Sequence, residues 1–410
     1  MAVIDAPAPP VRRAPSPAVA RPPVARPGPV APAANGPRSA RDPFVDVVRA
    51  VGTVGVVLLH WLMAEASWDG RTLLVGNALG HGAGWLVTWL QPLALLFFAA
   101  GASAGYQGGA VAAGGRRWAG VVGSRLRAVV RPVLAFAGAW VLAVAGLLAL
   151  GVPDGAVWRM VRMAPQLLWF LAVWVVLMAL TPLLRAAWQR WRWGALGVAV
   201  ALPLALDALR FGLPGEATGT LSWATVVLAW AAPYLAGVAY AARRSAPHRP
   251  ATEHAGGRTA RLLLAVGAAT AVAATAVLVA LGPYPPSLIG MPGDEISNLG
   301  PPTAPVVAHA MAQVCLVLLF RAALVRRAAT CTGRQVVGAL ARRSMTVYLW
   351  HLTAMFAVVG AALLGLGQEL PAAWSADWWA SRPVWFAAFV LVLLGLVRVF
   401  GRFEDRRPTS

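Results

Sequence analysis

Residues 46–62 read DVVRAVGTVGVVLLHWL, an apolar run interrupted by single polar side chains at regular spacing. From Val47 to Ala64 the run approaches the ~20 residues that a helix needs to cross a hydrocarbon core of roughly 30 Å. It does not read as a rod facing lipid all round. Arg49 and His60 are eleven residues apart, which brings them to within about 20° of one face and about 16 Å apart along a helix axis. Asp46, Arg49, Gly52, Thr53, Val56 and His60 form one stripe at i, i+3, i+4 spacing. So polar a stripe belongs against protein or a water-filled cavity. Arg49 then sits at the cytoplasmic surface and His60 near the bilayer midplane.

Nine more apolar runs follow, at 85–105, 128–150, 166–184, 195–210, 222–241, 261–281, 304–324, 343–365 and 383–400. The fifth span of the ten contains Pro203 and Asp207, so a kink or partly interfacial placement is expected there. Hydrophobic residues make up 59% of the 410-residue chain and charged residues 12%, against about 25% charged in a soluble domain. The chain therefore reads as all-α: a polytopic integral membrane helical bundle of about ten transmembrane helices. The net charge of +20 is carried by Arg alone. Such a balance fits nucleic-acid binding, but its distribution does not, because the Arg residues sit between apolar runs. With the N-terminus inside, the outer loops hold only Arg71, Arg159, Arg162, Arg210 and Arg382, and the other thirty of 35 fall inside. Glu65, Asp69, Asp154, Glu216, Asp294, Glu295, Glu369 and Asp377 all fall outside. This alternation places both termini in the cytoplasm. Residues 1–43, rich in Pro, Ala and Arg, read as a disordered cytoplasmic tail, residues 44–400 as the membrane domain and 401–410 as a short cytoplasmic tail. The expected location is a cell membrane, as a multi-pass protein whose partner is the lipid bilayer and not nucleic acid.

Cys315 lies in an apolar run and Cys331 in an Arg-rich loop, a pattern for neither disulfides nor a metal site. The ionisable residues inside or beside spans are His60, His351, His309, Glu65 and Asp207, each a functional candidate by position. His351 closes Tyr348-Leu349-Trp350-His351, about 12 Å deep from Arg343, with Ser344 and Tyr348 on its face. Both imidazoles can reach one internal cavity, expected to open toward the cytoplasm. A neutral imidazole there can take a proton from a hydroxyl near pH 7. The plainer reading of a buried His is a hydrogen-bonding strut between helices, and His309, which has no polar stripe, reads that way. The Arg clusters read first as orientation signals, and Arg125, Arg127 and Arg131 also as a cationic patch for phosphates.

Four stretches resemble the membrane-bound acyltransferases of the acyltransferase-3 type, which include bacterial O-acetyltransferases. RAVGTVGVVLLH (49–60) has that family's Arg, ten residues, then His; QPLALLFFAAGASAGY (91–106) is similar to its second helix; LLWFLAVWVVLMALTPLL (167–184) is similar to its Trp-Phe-Leu helix ending in Thr-Pro-Leu; and SMTVYLWH (344–351) resembles its late Ser-x-x-x-Tyr-Leu-x-His helix. The likeness covers residues 41–400. Two departures stand out: SRLRAVVRP (124–132) replaces a strict Arg-x-x-Arg, and Ala100-Gly101 replaces Ser-Gly.

The resemblance implies transfer of an acyl group, commonly acetyl, from acetyl-CoA or another acyl-CoA co-substrate to a hydroxyl of a carbohydrate, cell-envelope glycan or secondary metabolite. No metal is implied, and a bacterial plasma membrane is. On it, Arg49, Arg125, Arg127 and Arg131 hold the CoA phosphates, His60 is the general base or a transient acyl carrier, and His351 and Tyr348 orient the acceptor or polarise the carbonyl. A transporter or flippase for a polar or lipid-linked glycan explains ten helices and a polar cavity too. The absence of a central Asp or Glu from the clearest spans counts against a proton-driven one. A scaffold without chemistry has no need of His60 beneath Arg49.

Overall fold

The computed structural model describes residues 42–405 apart from 71, 115–116, 214, 246–252 and 292–293. All but the last two residues of the expected N-terminal tail lie outside the described residues, as do 406–410. The first helix, α1 (Pro43–Leu62), starts earlier than its apolar run. The Asp42 carboxylate accepts the Phe44 N–H at 3.0 Å and Pro43 fills the first turn. Asp satisfies a free terminal N–H and Pro arrives with a helical φ, so the tail boundary moves back before Asp42.

Beyond α1 the chain forms an antiparallel hairpin, β1 (Ala66–Trp68) and β2 (Leu73–Val75), with Trp68 opposite Leu73. The second run is split: α2 (Trp85–Thr88) stops before Pro92, and α3 (Leu93–Ala113) restarts behind it. Then come α4 (Trp118–Ala149), α5 (Asp154–Met163), α6 (Leu168–Ala179), α7 (Thr181–Trp191) and α8 (Trp193–Gly212). The chain continues through α9 (Glu216–Ser222), α10 (Thr225–Arg244), α11 (Glu253–Leu281), α12 (Ala304–Leu319), α13 (Arg321–Ala328), α14 (Cys331–Gly360) and α15 (Ala376–Phe400). Pro203 does not break α8, which runs as one helix. Among the described residues nine helical segments are long and apolar enough to cross a membrane. The pair α12 and α13 passes the same test only when taken together, and is bent by 62° between its two helices; counted as one span it makes a tenth. The chain is a polytopic helical membrane protein.

The spans sort by what their apolar faces touch. α1, α3, α10 and α14 bury more than half of their membrane-crossing residues, whereas α4, α8, α11 and α15 bury under a fifth. The second group turns Val141, Leu142, Leu202, Leu263, Val277 and Leu391 outward. In water that surface would drive association; against acyl chains it is the expected finish. In the middle, α3 and α10 approach at their glycines. A Cβ on Gly101 would strike the Tyr234 carbonyl oxygen, and one on Gly237 the Phe98 carbonyl oxygen. Without a hydrophobic drive between helices in lipid, such small-residue contacts let backbones pack closely.

α14 is kinked at Arg343 (φ −124°, ψ 17°), where the apolar run 343–365 begins. A kink frees backbone N–H groups. The Glu404 carboxylate accepts those of Met345 and Thr346, each at 3.0 Å, and the Thr346 hydroxyl at 2.7 Å. Arg343 Nη2 in turn reaches Asp405 Oδ2 at 3.2 Å. The described part of the C-terminal segment, 401–405, is thus a cap on α14 and not a free tail. Asp42, at the other end of the chain, accepts Tyr106 and Tyr240 hydroxyls at 2.8 and 2.7 Å. Both described ends lie on the Arg-rich side of the bundle.

Candidate active site

The stripe on α1 points inward: Gly52, Thr53 and Val56 are buried and His60 is partly so. The facing helix is α14. The Trp61 indole N–H donates to the His351 carbonyl oxygen at 3.0 Å, which locks α1 and α14 in register beside His60 and at His351 itself. The two rings lie 5.0 Å apart between centroids, and His351 Nε2 is 3.1 Å from His60 Nδ1.

The partners assign the protons. His351 Nδ1 is 2.7 Å from the Tyr348 carbonyl oxygen, which only accepts, so Nδ1 carries the proton and Nε2 is left with a lone pair. His60 Nδ1 faces both that lone pair and the Val56 carbonyl oxygen at 2.9 Å, so it too is protonated. The His60 Nε2 lone pair is the basic position that remains. The expectation that both imidazoles reach one cavity holds for His60 alone: His351 is fully buried and lies behind it, off the cavity wall.

A cavity of about 290 Å³ lies against this dyad, lined by His60, Met160, Met163, Trp169, Tyr348 and Met355 among others. It runs away from Arg49 toward the hairpin, where Glu65, Ala66, Leu73 and Val75 bound it. The expected opening toward the cytoplasm is therefore corrected: this cavity lies on the other side of His60. The reason is packing. On the Arg49 side Gly52 and Gly55 let Leu96 and Pro92 of the α3 region close onto α1, whereas past His60 the chain leaves the bundle as a hairpin. Tyr348 lines the cavity, yet its hydroxyl donates to the Leu167 carbonyl oxygen. Polarising a substrate carbonyl would require giving up that bond.

Arg49 Nη1 pairs with Asp46 at 3.1 Å and Nη2 donates to the Ser103 hydroxyl at 2.7 Å. Arg125 Nε reaches the Gln107 side chain, one turn further along α3, at 3.4 Å. Ser103 and Gln107 thus gather Arg49 and Arg125 on one face of α3. Arg131 contacts the Asp405 carbonyl oxygen at 3.4 Å, and Arg127 is exposed. The four Arg residues share the Arg-rich end of the bundle, and only the first two share an anchoring helix face.

The other ionisable candidates separate. Asp207 accepts the Tyr284 hydroxyl at 2.8 Å and the Ala304 N–H at 2.7 Å, so it caps α12 from α8. His309 Nε2 lies 3.0 Å from Gln313 Nε2 on its own helix, and Gln313 donates across to the Gln91 carbonyl oxygen. Glu404 and Trp61 place the dyad and were not read from the sequence. Glu404 lies past the last apolar run, and Trp61 read as one more apolar residue beside His60. Among the described residues no three His, Cys, Asp or Glu side chains gather as metal ligands.

A family profile described as an acyltransferase domain matches residues 42–399. No curated protein and no solved structure matches the chain.

Proposed function

Because the chain belongs to the acyltransferase-3 family, matched over nearly its whole length, we propose that it moves an acyl group, acetyl in the first instance, from acyl-CoA to a hydroxyl of a sugar, glycan or secondary metabolite, with His60 as the base. The observation that carries this is His60 on the wall of the cavity while His351 occupies its Nδ1. The acceptor oxygen attacks the thioester carbonyl as Nε2 takes its proton. The tetrahedral adduct then expels the CoA sulfur, and the imidazolium returns the proton to the thiolate. The products are an ester and free CoA thiol. An acyl-imidazole relay would use the same nitrogen as nucleophile.

The donor comes from the cytoplasmic side. Guanidinium groups form charge-assisted bonds with phosphates, and Arg49, Arg125, Arg127 and Arg131 supply them at the Arg-rich end. The pantetheine arm has about 16 Å to cover from Arg49 to His60, a route that requires Leu96 and Pro92 to move off Gly52 and Gly55. The test is acetyl-CoA binding and thioester cleavage by detergent-purified protein, wild type beside His60→Ala. Binding by both with turnover in wild type alone is expected, a loss of about 10²–10⁴-fold for removing a general base. Undiminished turnover in the variant overturns the role of His60, and a wild type that binds no CoA overturns the donor.

A further inference from the structure

Beyond the cavity lies a second cleft that the transfer reaction as described does not use. It measures about 470 Å³ and is lined by Glu65, Ser67, Asn77, His81, Arg159 and residues 370–373, among others. Glu65, Ala66, Val75 and Gly76 belong to the walls of both spaces. The cleft is therefore the vestibule of the His60 cavity, on the face opposite the Arg-rich end. The two chambers differ in chemistry. The inner one is walled by Met, Leu, Phe, Val and Trp side chains, with few polar groups besides His60 and Glu65. The vestibule carries a carboxylate, an imidazole and a guanidinium.

Glu65 is the ionisable residue common to both walls, and it is held in place. His81 Nε2 lies 2.8 Å from Oε1. Gly76 backs Oε2 so closely that a Cβ there would run into the carboxylate, and the Gly76 N–H is bonded to the Glu65 carbonyl oxygen at 3.0 Å. The hairpin thus fixes the carboxylate at the threshold, with Oε2 left to accept hydrogen bonds from a ligand.

We propose that the acceptor is recognised from the outer face and is amphiphilic: an alcohol on an apolar body that carries a separate polyhydroxy head. The hydroxyl descends to His60, the apolar body fills the Met-lined cavity, and the head stays in the vestibule with its hydroxyls on Glu65. A free polysaccharide does not match the inner chamber, because each sugar hydroxyl placed there loses water without a partner. Size agrees. A dry cavity of about 150 Å³ holds benzene, so about 290 Å³ holds an apolar body of one to two rings. This reading rests on the acyl-transfer assignment for its chemistry, but its geometry is tested by binding alone.

The probe is salicin, a benzyl alcohol joined to glucose, compared with benzyl alcohol and with glucose. Binding is followed through tryptophan fluorescence of the nanodisc-embedded full chain, for which Trp169 lines the cavity. Salicin is expected to bind at least about tenfold more tightly than either fragment, from hydrogen bonds to a charged group. Glu65→Gln, which keeps the side-chain shape, and Gly76→Ala, which displaces the carboxylate, should each remove most of that advantage while leaving benzyl alcohol binding unchanged. Salicin binding no better than benzyl alcohol, or an advantage untouched in both variants, overturns the proposal. Sidedness is read in intact cells: a membrane-impermeant maleimide should label Ser67→Cys, and salicin should slow the labelling. No labelling from outside overturns outer-face recognition. Loss of the binding difference with His60-dependent thioester cleavage intact would refute the vestibule alone. The converse result would refute the acyl-transfer reading alone.

Discussion

The two ends of the bundle are built to different rules. At the Arg-rich end a set of charged side chains ties helix ends together: Arg49 with Asp46 and Ser103, Asp42 with two tyrosines, Arg343 with Asp405, Glu404 with the α14 backbone. At the opposite end the chain leaves the helices as a hairpin, and space opens between it and the dyad. The first end fixes where helices start and stop. The second holds the open space beside His60. His60 sits at the boundary, tied to the ordered side through Val56, His351 and Trp61 and exposed on the open side. Substitutions at the open end should change chemistry with little loss of stability, and those at the Arg-rich end the reverse.

The sharpest test of that division is His351. Its ring is buried and touches no cavity, yet it accepts from His60 Nδ1. Losing a hydrogen bond to a group that becomes charged costs about 1.5–3 kcal/mol, or about 10–160-fold in rate. His351→Ala should lower kcat by that factor and leave the acceptor KM unchanged. His351→Gln, whose side-chain oxygen can accept from Nδ1–H, should recover most of it. Equal losses in the two variants would mean that His351 only fills space. Glu404→Ala is the counterpart at the ordered end. It uncaps two N–H groups at the α14 kink and should cost about 1–2 kcal/mol, read as a lower unfolding midpoint in detergent. A purely catalytic defect would break the comparison.

The division also explains what the sequence disclosed. The spans were legible because lipid demands about 20 apolar residues, and the inward stripe on α1 because 3.6-residue periodicity puts His60 and Arg49 on one face, which cannot be the lipid face. The juxtaposition of His60 and His351 was legible only as two depths from one surface; the 3.1 Å contact depends on Trp61 bonding the His351 backbone. The direction of the cavity was misread because depth along a helix says nothing about which end packs. That is settled by Gly52 and Gly55, which admit Leu96 and Pro92 on one side only. Glu404 was invisible because its partners are backbone groups freed by a kink. A kink needs no Pro or Gly, and Arg343 is neither.

Arg49→Ala should raise the acetyl-CoA KM by about tenfold, the worth of one charge-assisted phosphate bond, with kcat nearly unchanged. A fall in kcat at unchanged KM would move Arg49 from donor binding to alignment of α1, since its bond to Ser103 also joins α1 to α3.

The smallest effect is expected at Asp405, outside the spans. The Arg343 guanidinium holds its carboxyl below the ordinary value of 3.8. A carboxylate depressed in the folded state stabilises above its unfolded pKa and loses that contribution as pH falls through the folded one. The midpoint difference between wild type and Asp405→Asn should therefore be present at pH 7, shrink below the ordinary carboxylate range and vanish in stronger acid. High salt should shrink it at pH 7 as well, because an exposed pair is screened. A difference that persists unchanged in acid would place the work of this contact in the Arg343 bond to the Gly401 carbonyl oxygen, which carries no titrating partner. The α14 kink would then be held by backbone capping alone.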